Sequence, residues 1–270
     1  MLSINRRRLG MILRILTTAG MLSGCASYVN GFKLTMWVNS APRYGPDSCH
    51  AYRVSMAAAS SKLFTAVTVG AVVGMEIGVV AGAATRTGWG ILAGLAGGAV
   101  VGSLTGAAIE RWMEEHPTLV PAVNDGIAKN LTTENGQISQ AQFAFGQLMA
   151  CRSIQARQVQ MAYQERMIDL RTAQTEMAIV RERAESDVAH ARLVSDLINS
   201  RYQQWSRFSV RVRSAFVTVV KRGKPISTKY RASVRKIETL AGSNAALRDA
   251  FAERVSVAQA QVANGFQLAS

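Results

Sequence analysis

The stretch from Gly70 to Gly106 constrains the fold more than any other part of the chain. Glycine recurs at every fourth position in two runs, which a short polar break at residues 85–87 separates. The runs comprise Gly70, Gly74, Gly78 and Gly82, then Gly90, Gly94, Gly98, Gly102 and Gly106. Glycine inside a helix in water costs about 1 kcal/mol relative to alanine, so helix propensity does not explain this spacing. In lipid the backbone must satisfy its own hydrogen bonds, and small residues four apart let a second helix approach closely.

Both runs lie in segments that are apolar enough to cross a bilayer. Residues 63–84 contain one charged side chain, Glu76, and residues 88–109 contain none. At about 1.5 Å per residue each segment extends about 33 Å, which matches a hydrocarbon core. The pattern predicts a glycine-zipper transmembrane hairpin over residues 61–113. The alternative is a pair of Gly- and Ala-rich helices buried in a soluble core.

Glu76 is a charged residue inside a predicted span. It lies about 200° around the helix from Gly74 and therefore points away from the glycine groove. An ionised carboxylate that faces lipid is costly. Three interpretations stay open: a hydrogen bond to a neighbouring protomer, a position lining a pore, and a protonated side chain that the membrane tolerates.

Residues 1–24 predict a lipoprotein signal peptide. Arginines precede an apolar run that ends in Leu-Ser-Gly-Cys at Cys25, an order typical of export signals. This string resembles the lipobox of bacterial lipoproteins. The resemblance implies diacylglycerol and palmitate on Cys25 and, because Ala26 follows, sorting to the outer membrane with most of the chain in the periplasm. A buried Cys25 in an ordinary N-terminal helix is the alternative.

The glycine runs downstream of a lipobox resemble the two-helix hairpins of the outer-membrane lipoproteins related to SlyB. The resemblance covers residues 25–112. It implies oligomerisation through the zipper and a role in envelope integrity. The long helical C-terminal region has no counterpart in that family.

Two cysteines remain if Cys25 is acylated. Cys49 lies in the lipidated tether predicted over residues 25–60, and Cys151 lies beyond the hairpin. An oxidising periplasm favours a disulfide between them. Closing a loop of about 100 residues stabilises a fold by about 4–5 kcal/mol in the chain-entropy model. Two separate buried thiols are the alternative.

The C-terminal region predicts a periplasmic coiled-coil or helical hairpin over residues 139–270, after a linker over residues 114–138. A capping box at Ser139 marks the expected start. No glycine or proline occurs in the 76 residues from Gln147 to Arg222, so we expect one uninterrupted helix before the turn at residues 223–225. A shorter helix then folds back. The unpaired part of the longer helix predicts a homo-oligomer, and the fold class is all-α.

The predicted tip of this hairpin is strongly basic. The chain has a net charge of +14, and the segment between Asp196 and Glu238 contains eleven basic residues and no acid. Nine of them form a predicted anion-binding patch: Arg211, Arg213, Lys221, Arg222, Lys224, Lys229, Arg231, Arg235 and Lys236. Membrane lipid, peptidoglycan and other envelope proteins fit this charge, whereas nucleic acid does not fit the compartment. A solvated basic face is the alternative.

The sequence contains no recognisable catalytic motif. His50, His116 and His190 occur without the carboxylate or cysteine spacing of a metal site, and neither a P-loop nor a Gly-x-Ser-x-Gly string is present. We therefore expect no enzymatic activity, no metal and no cofactor beyond the lipid. The predicted function is an oligomeric outer-membrane lipoprotein that acts as a structural scaffold. The alternative is a pore-forming or docking subunit of an export complex.

Overall fold

Apolar side chains recur at helical spacing through residues 120–265, and this pattern produces three long helices. The computed structural model describes residues 46–63, 113, 115, 117–118 and 120–265. Helix α1 covers residues 50–63, α2 covers Val120–Gln164, α3 covers Leu170–Lys221 and α4 covers Thr228–Gly265. The described part of the chain is helical and contains no strands, which confirms the all-α prediction.

Helix α2 begins much earlier than the sequence predicts. The linker prediction is wrong from Val120 onward, and Ser139 lies inside a helix, where its Oγ donates to the Asn135 carbonyl at 3.0 Å. Glycines within this segment oppose the helix by about 1 kcal/mol each. Burial of one large aliphatic side chain contributes about 1.5–3 kcal/mol. Four such side chains at helical spacing are buried here: Val120, Val123, Ile127 and Leu131. Packing therefore outweighs local propensity.

The helix predicted without interruption from Gln147 to Arg222 is broken. Helix α2 ends at Gln164 and α3 begins at Leu170. Arg166 adopts a left-handed conformation with φ of 59°, and Asp169 caps α3 by accepting from the Thr172 N–H at 2.7 Å. A non-glycine residue in this region costs about 1–2 kcal/mol. The break reverses the chain and lets α3 bury its apolar face along α2, which offsets that cost.

The three long helices form a bundle, and the contacts between them show the direction in which each helix runs relative to the others. Helix α3 is antiparallel to α2, because Arg152 meets Asp187 whereas Glu134, earlier in α2, meets Arg201, later in α3. Helix α4 is parallel to α2. Its pairs with α2 advance together along both helices: Asn124 with Ser233, Asn135 with Asn244, and Phe145 with Phe251. At 52 residues, α3 is about 78 Å long.

Two hydrophobic clusters divide the bundle along its length. The upper core joins α1 to the far part of α2 and includes Met56, Leu63 and Phe145. The lower core surrounds the start of α2 and includes Met113 and Trp205. Buried side chains follow α3 along most of its length, so the unpaired portion from which we predicted an oligomer does not exist in this fold. The homo-oligomer itself stays a prediction.

The predicted membrane spans fall almost entirely outside the described residues. Among the helices of the described part, none is long and apolar enough to cross a membrane. Residues 64–112, which carry both glycine runs, are outside that part, as are residues 1–45. The glycine-zipper hairpin therefore stays a prediction.

Candidate functional site

Cys49 and Cys151 are joined in a disulfide, which confirms the predicted pairing. Their Cα atoms are 5.9 Å apart across 102 residues of sequence. Cys49 immediately precedes α1 and is fully buried, and Cys151 lies in the last third of α2. Farther along, Lys62 Nζ donates to Gln140 Oε1 at 3.4 Å. Helix α1 therefore runs antiparallel to α2 from a covalently fixed start.

A buried ionic cluster adjoins this disulfide, and Arg152 is its centre. The guanidinium binds Asp47 in a bidentate manner, with Nη1 donating to Oδ1 at 2.7 Å and Nη2 to Oδ2 at 2.9 Å. Its Nε donates to Asp187 Oδ2 at 2.7 Å. The side chains of Arg152, Asp47 and Asp187 have no exposed area. Arg152 thus joins the segment before α1, helix α2 and helix α3 through one group.

Arg53 links α1 to the same acid on α3. Its Nε lies 2.9 Å from Asp187 Oδ1, and its Nη2 donates to Ser186 Oγ at 3.4 Å. Both side chains are almost fully buried, so this contact is a buried ion pair. Arg183 lies 3.8 Å from Asp47. Three guanidinium groups therefore surround two carboxylates.

The cluster stabilises the ionised form of Asp47. Burial alone would raise the pKa of this carboxyl, but the hydrogen bond and charge of Arg152, the Cys49 N–H and the charge of Arg183 lower the pKa to about 2. Burial raises the pKa of Asp187 above its ordinary value, against the opposing charges of Arg152 and Arg53. Its oxygens face both guanidinium groups, as an ionised carboxylate requires.

His190 lies one turn beyond Asp187 and is 6% exposed. Burial, together with the positive charge of Arg53, lowers the pKa of its imidazole from 6.5 to about 4. The side chain is therefore neutral near pH 7. Protonating it adds positive charge to a cluster in which guanidinium groups already outnumber carboxylates, so this part of the fold is sensitive to acid.

A second set of buried polar contacts fixes how α3 and α4 are aligned along α2. Glu134 Oε2 accepts from Arg201 Nη2 at 2.7 Å and from Trp205 Nε1 at 2.9 Å. Asn244 donates to Asn135 at 2.7 Å. Unpaired buried polar groups are costly, so a shift of one helix along another would leave these groups without partners.

The predicted anion-binding patch forms one end of the bundle, which we call the basic tip: residues 207–236 around the turn between α3 and α4. Of the nine predicted residues, Arg211 is half-buried and the other eight are exposed. Arg213 lies 3.8 Å from Glu238, and Lys236 lies 3.6 Å from Asp125. These exposed pairs contribute little to stability, so the tip keeps a strongly positive field.

No family model matches this chain. Comparisons with curated proteins and with solved structures give no match either.

Several predicted site residues lie outside the part that the structure describes. These are the lipidation site Cys25, the nine zipper glycines and Glu76. Among the described residues no group of His, Cys, Asp and Glu side chains could hold a metal ion.

The ionic cluster was not predicted, although the sequence contains a signal of buried charge on α3. Asp187 and Arg201 interrupt the apolar repeat of α3 at buried positions. A charged residue in such a position predicts a buried partner, because an unpaired charge in a core is strongly unfavourable. The identity of that partner depends on contacts between residues far apart in sequence.

Proposed function

We propose that this protein is an oligomeric lipoprotein of the outer membrane with a structural, scaffolding role rather than a catalytic one. In this proposal a lipid on Cys25 and a glycine-zipper hairpin anchor the chain, and the helical bundle extends along the periplasmic face. The anchor is inferred from sequence features, and the helical bundle is the rigid part of the proposed scaffold.

One observation supports this role best: the two described residues that flank the glycine-rich stretch are both buried in the same bundle. Leu63 is 4% exposed in the upper core, and Met113 is fully buried in the lower core. A membrane hairpin between these positions would be connected at both ends to one rod of packed helices. Such a connection transmits position and force from the membrane to the rod, as a scaffold requires.

The disulfide and the ionic cluster support the same interpretation. Both hold the start of α1 against α2, and Asp187 extends the contact to α3. A disulfide of this kind persists in an oxidising compartment such as the periplasm. The segment that leads into the predicted hairpin would therefore keep a fixed direction when the membrane moves relative to the bundle.

Metabolic labelling with palmitate tests the anchor. We expect label in the wild-type chain and in the Cys49→Ser/Cys151→Ser variant, and no label after Cys25→Ser. The double variant controls for removal of cysteine as such. Label that persists after Cys25→Ser, or a wild-type chain that fractionates away from the outer membrane, would refute the lipoprotein proposal.

Oligomer size in detergent tests the zipper. Gly98→Leu fills the groove and should dissociate the assembly, whereas Ala96→Leu lies about 200° away on the helix and should leave it intact. Equal behaviour of the two variants would contradict zipper packing. An assembly with an open lumen and conductance in planar bilayers would favour the export subunit instead of the scaffold.

A further inference from the structure

The basic tip exposes large apolar side chains together with its charges. On α3, Val210 is 64% exposed, Val217 is 40% exposed and Val220 is 49% exposed. Their spacing places all three on one face of the helix. Arg213 and Lys221 lie on the same face, three and eleven positions after Val210. The outer face of α3 therefore carries valines between cationic side chains.

This face adjoins the basic part of α4. The contact of Arg213 with Glu238 at 3.8 Å shows that it borders α4. Arg231 and Arg235 are exposed on the same side of that helix as Glu238, seven and three positions before it. The cationic surface therefore continues from one helix to the other around the turn.

The combination of exposed valines and cationic side chains favours one class of anionic partner over the others. Carboxylates of a polysaccharide or an acidic protein surface would account for the Lys and Arg side chains, but they offer nothing apolar to the three valines. The interface of an anionic bilayer offers both, because phosphates attract the cations and the acyl boundary receives the aliphatic side chains. Each Lys or Arg near such a surface strengthens binding about fivefold.

The position of the tip agrees with a membrane partner. Tyr230 and Val234, at the start of α4, share the lower core with Met113 and Val120. The tip thus lies at the end of the bundle where the chain returns from the glycine-rich stretch, and the disulfide lies in the upper core. We propose that the basic tip binds an anionic phospholipid surface. This inference rests on the proposed function for the nearness of the membrane, but the lipid contact of the tip is measured separately.

The experiment uses the full chain carrying Cys25→Ser, with its disulfide intact, reconstituted in phosphatidylcholine vesicles with or without phosphatidylglycerol. A fluorophore on Val220→Cys reports the tip, and a fluorophore on Leu193→Cys is the control. Both positions are exposed and apolar on α3, about 40 Å apart along the helix. Quenching by nitroxide-labelled phospholipid measures contact with the bilayer.

We expect strong quenching at Val220→Cys only with phosphatidylglycerol, and its loss in about 1 M salt, where the Debye length falls to about 3 Å. The triple variant Lys221→Glu/Arg231→Glu/Arg235→Glu should reduce the ratio of bound to free tip at least about 100-fold. The control Arg157→Glu/Arg171→Glu/Arg192→Glu changes the net charge equally at exposed sites away from the tip and should have no effect. Unchanged circular dichroism checks the fold of each.

Several results would overturn the proposal. These are quenching that is the same with and without phosphatidylglycerol, quenching that is equal at both labels, and a protein that sediments with peptidoglycan while the label at its tip is unquenched. Retention of the chain on vesicles in about 1 M salt reports the hairpin instead, because that anchor is apolar. A chain that leaves the vesicles in high salt, but whose tip label is quenched in low salt, would contradict the membrane hairpin and support the lipid-binding tip.

Discussion

Replacing Arg152 with methionine is expected to destabilise the bundle strongly. The substitution removes three charge-assisted hydrogen bonds, of 2.7, 2.9 and 2.7 Å, to two fully buried carboxylates. Such bonds contribute about 1.5–3 kcal/mol each, which gives an upper range of about 4.5–9 kcal/mol. Part of this loss is recovered because the guanidinium no longer has to be desolvated, and both acids keep another cation nearby. Breaking a buried pair from one side typically costs about 3–5 kcal/mol, and we expect that value.

The measurement is urea unfolding of the oxidised chain, followed by far-ultraviolet circular dichroism. Arg181→Met is the matched control, because Arg181 pairs with Glu185 at 3.0 Å on the surface, where both side chains are about half exposed. It should cost no more than about 0.5 kcal/mol. Adding Asp47→Asn to Arg152→Met should restore part of the loss, because Asp47 would otherwise keep only Arg183, at 3.8 Å, as a counter-charge, whereas Asp187 keeps Arg53 at 2.9 Å. A cost below about 1 kcal/mol for Arg152→Met, or no recovery in the double variant, would refute the argument from buried charge.

Three further predictions concern acid, the disulfide and the turn. The pKa of His190 is lowered from 6.5 to about 4 in the fold, so the unfolded chain binds more protons than the folded chain between these two pH values. The free energy of unfolding should therefore fall by about 3 kcal/mol as the pH falls from about 6.5 to about 4. In urea titrations at several pH values, His190→Gln should flatten this dependence, whereas the exposed His50→Gln should not. Cys49→Ser/Cys151→Ser should lower the free energy of unfolding by about 2–5 kcal/mol, and a wild-type chain equally stable with and without reductant would contradict this. Gly223→Ala places a side chain at φ of 66° and should lower stability by about 1 kcal/mol in thermal unfolding. Gly242→Ala adds a methyl group to open space in the middle of α4 and should raise stability by a similar amount. Stability changes of the same sign in the two variants would refute the backbone argument.

Local patterns in the sequence determined the helical class and parts of its layout. The apolar side chains of Ala173, Met177, Val180 and Ala184 recur at helical spacing and are buried on α3, whereas Leu170 at the start of the helix is 49% exposed. The turn after Lys221 follows from the Gly-Lys-Pro signal, because glycine there adopts a left-handed conformation that other residues disfavour. The Cys49–Cys151 pairing followed from elimination among three cysteines. These features depend on short segments or on very few candidates, which is why the sequence was sufficient for them.

Only the tertiary structure decided the break at residues 165–169, the early start of α2 and the ionic cluster. No glycine or proline marks the break, and the fold places it where α3 must reverse to cover α2. The cluster brings Asp47 to Arg152 across 105 residues and Arg152 to Asp187 across 35. The free energy of a buried charge depends on its partner, and no local pattern identifies a partner so far along the chain. Propensity and periodicity therefore determined what each segment can form, and packing between distant segments decided where each helix begins, ends and pairs.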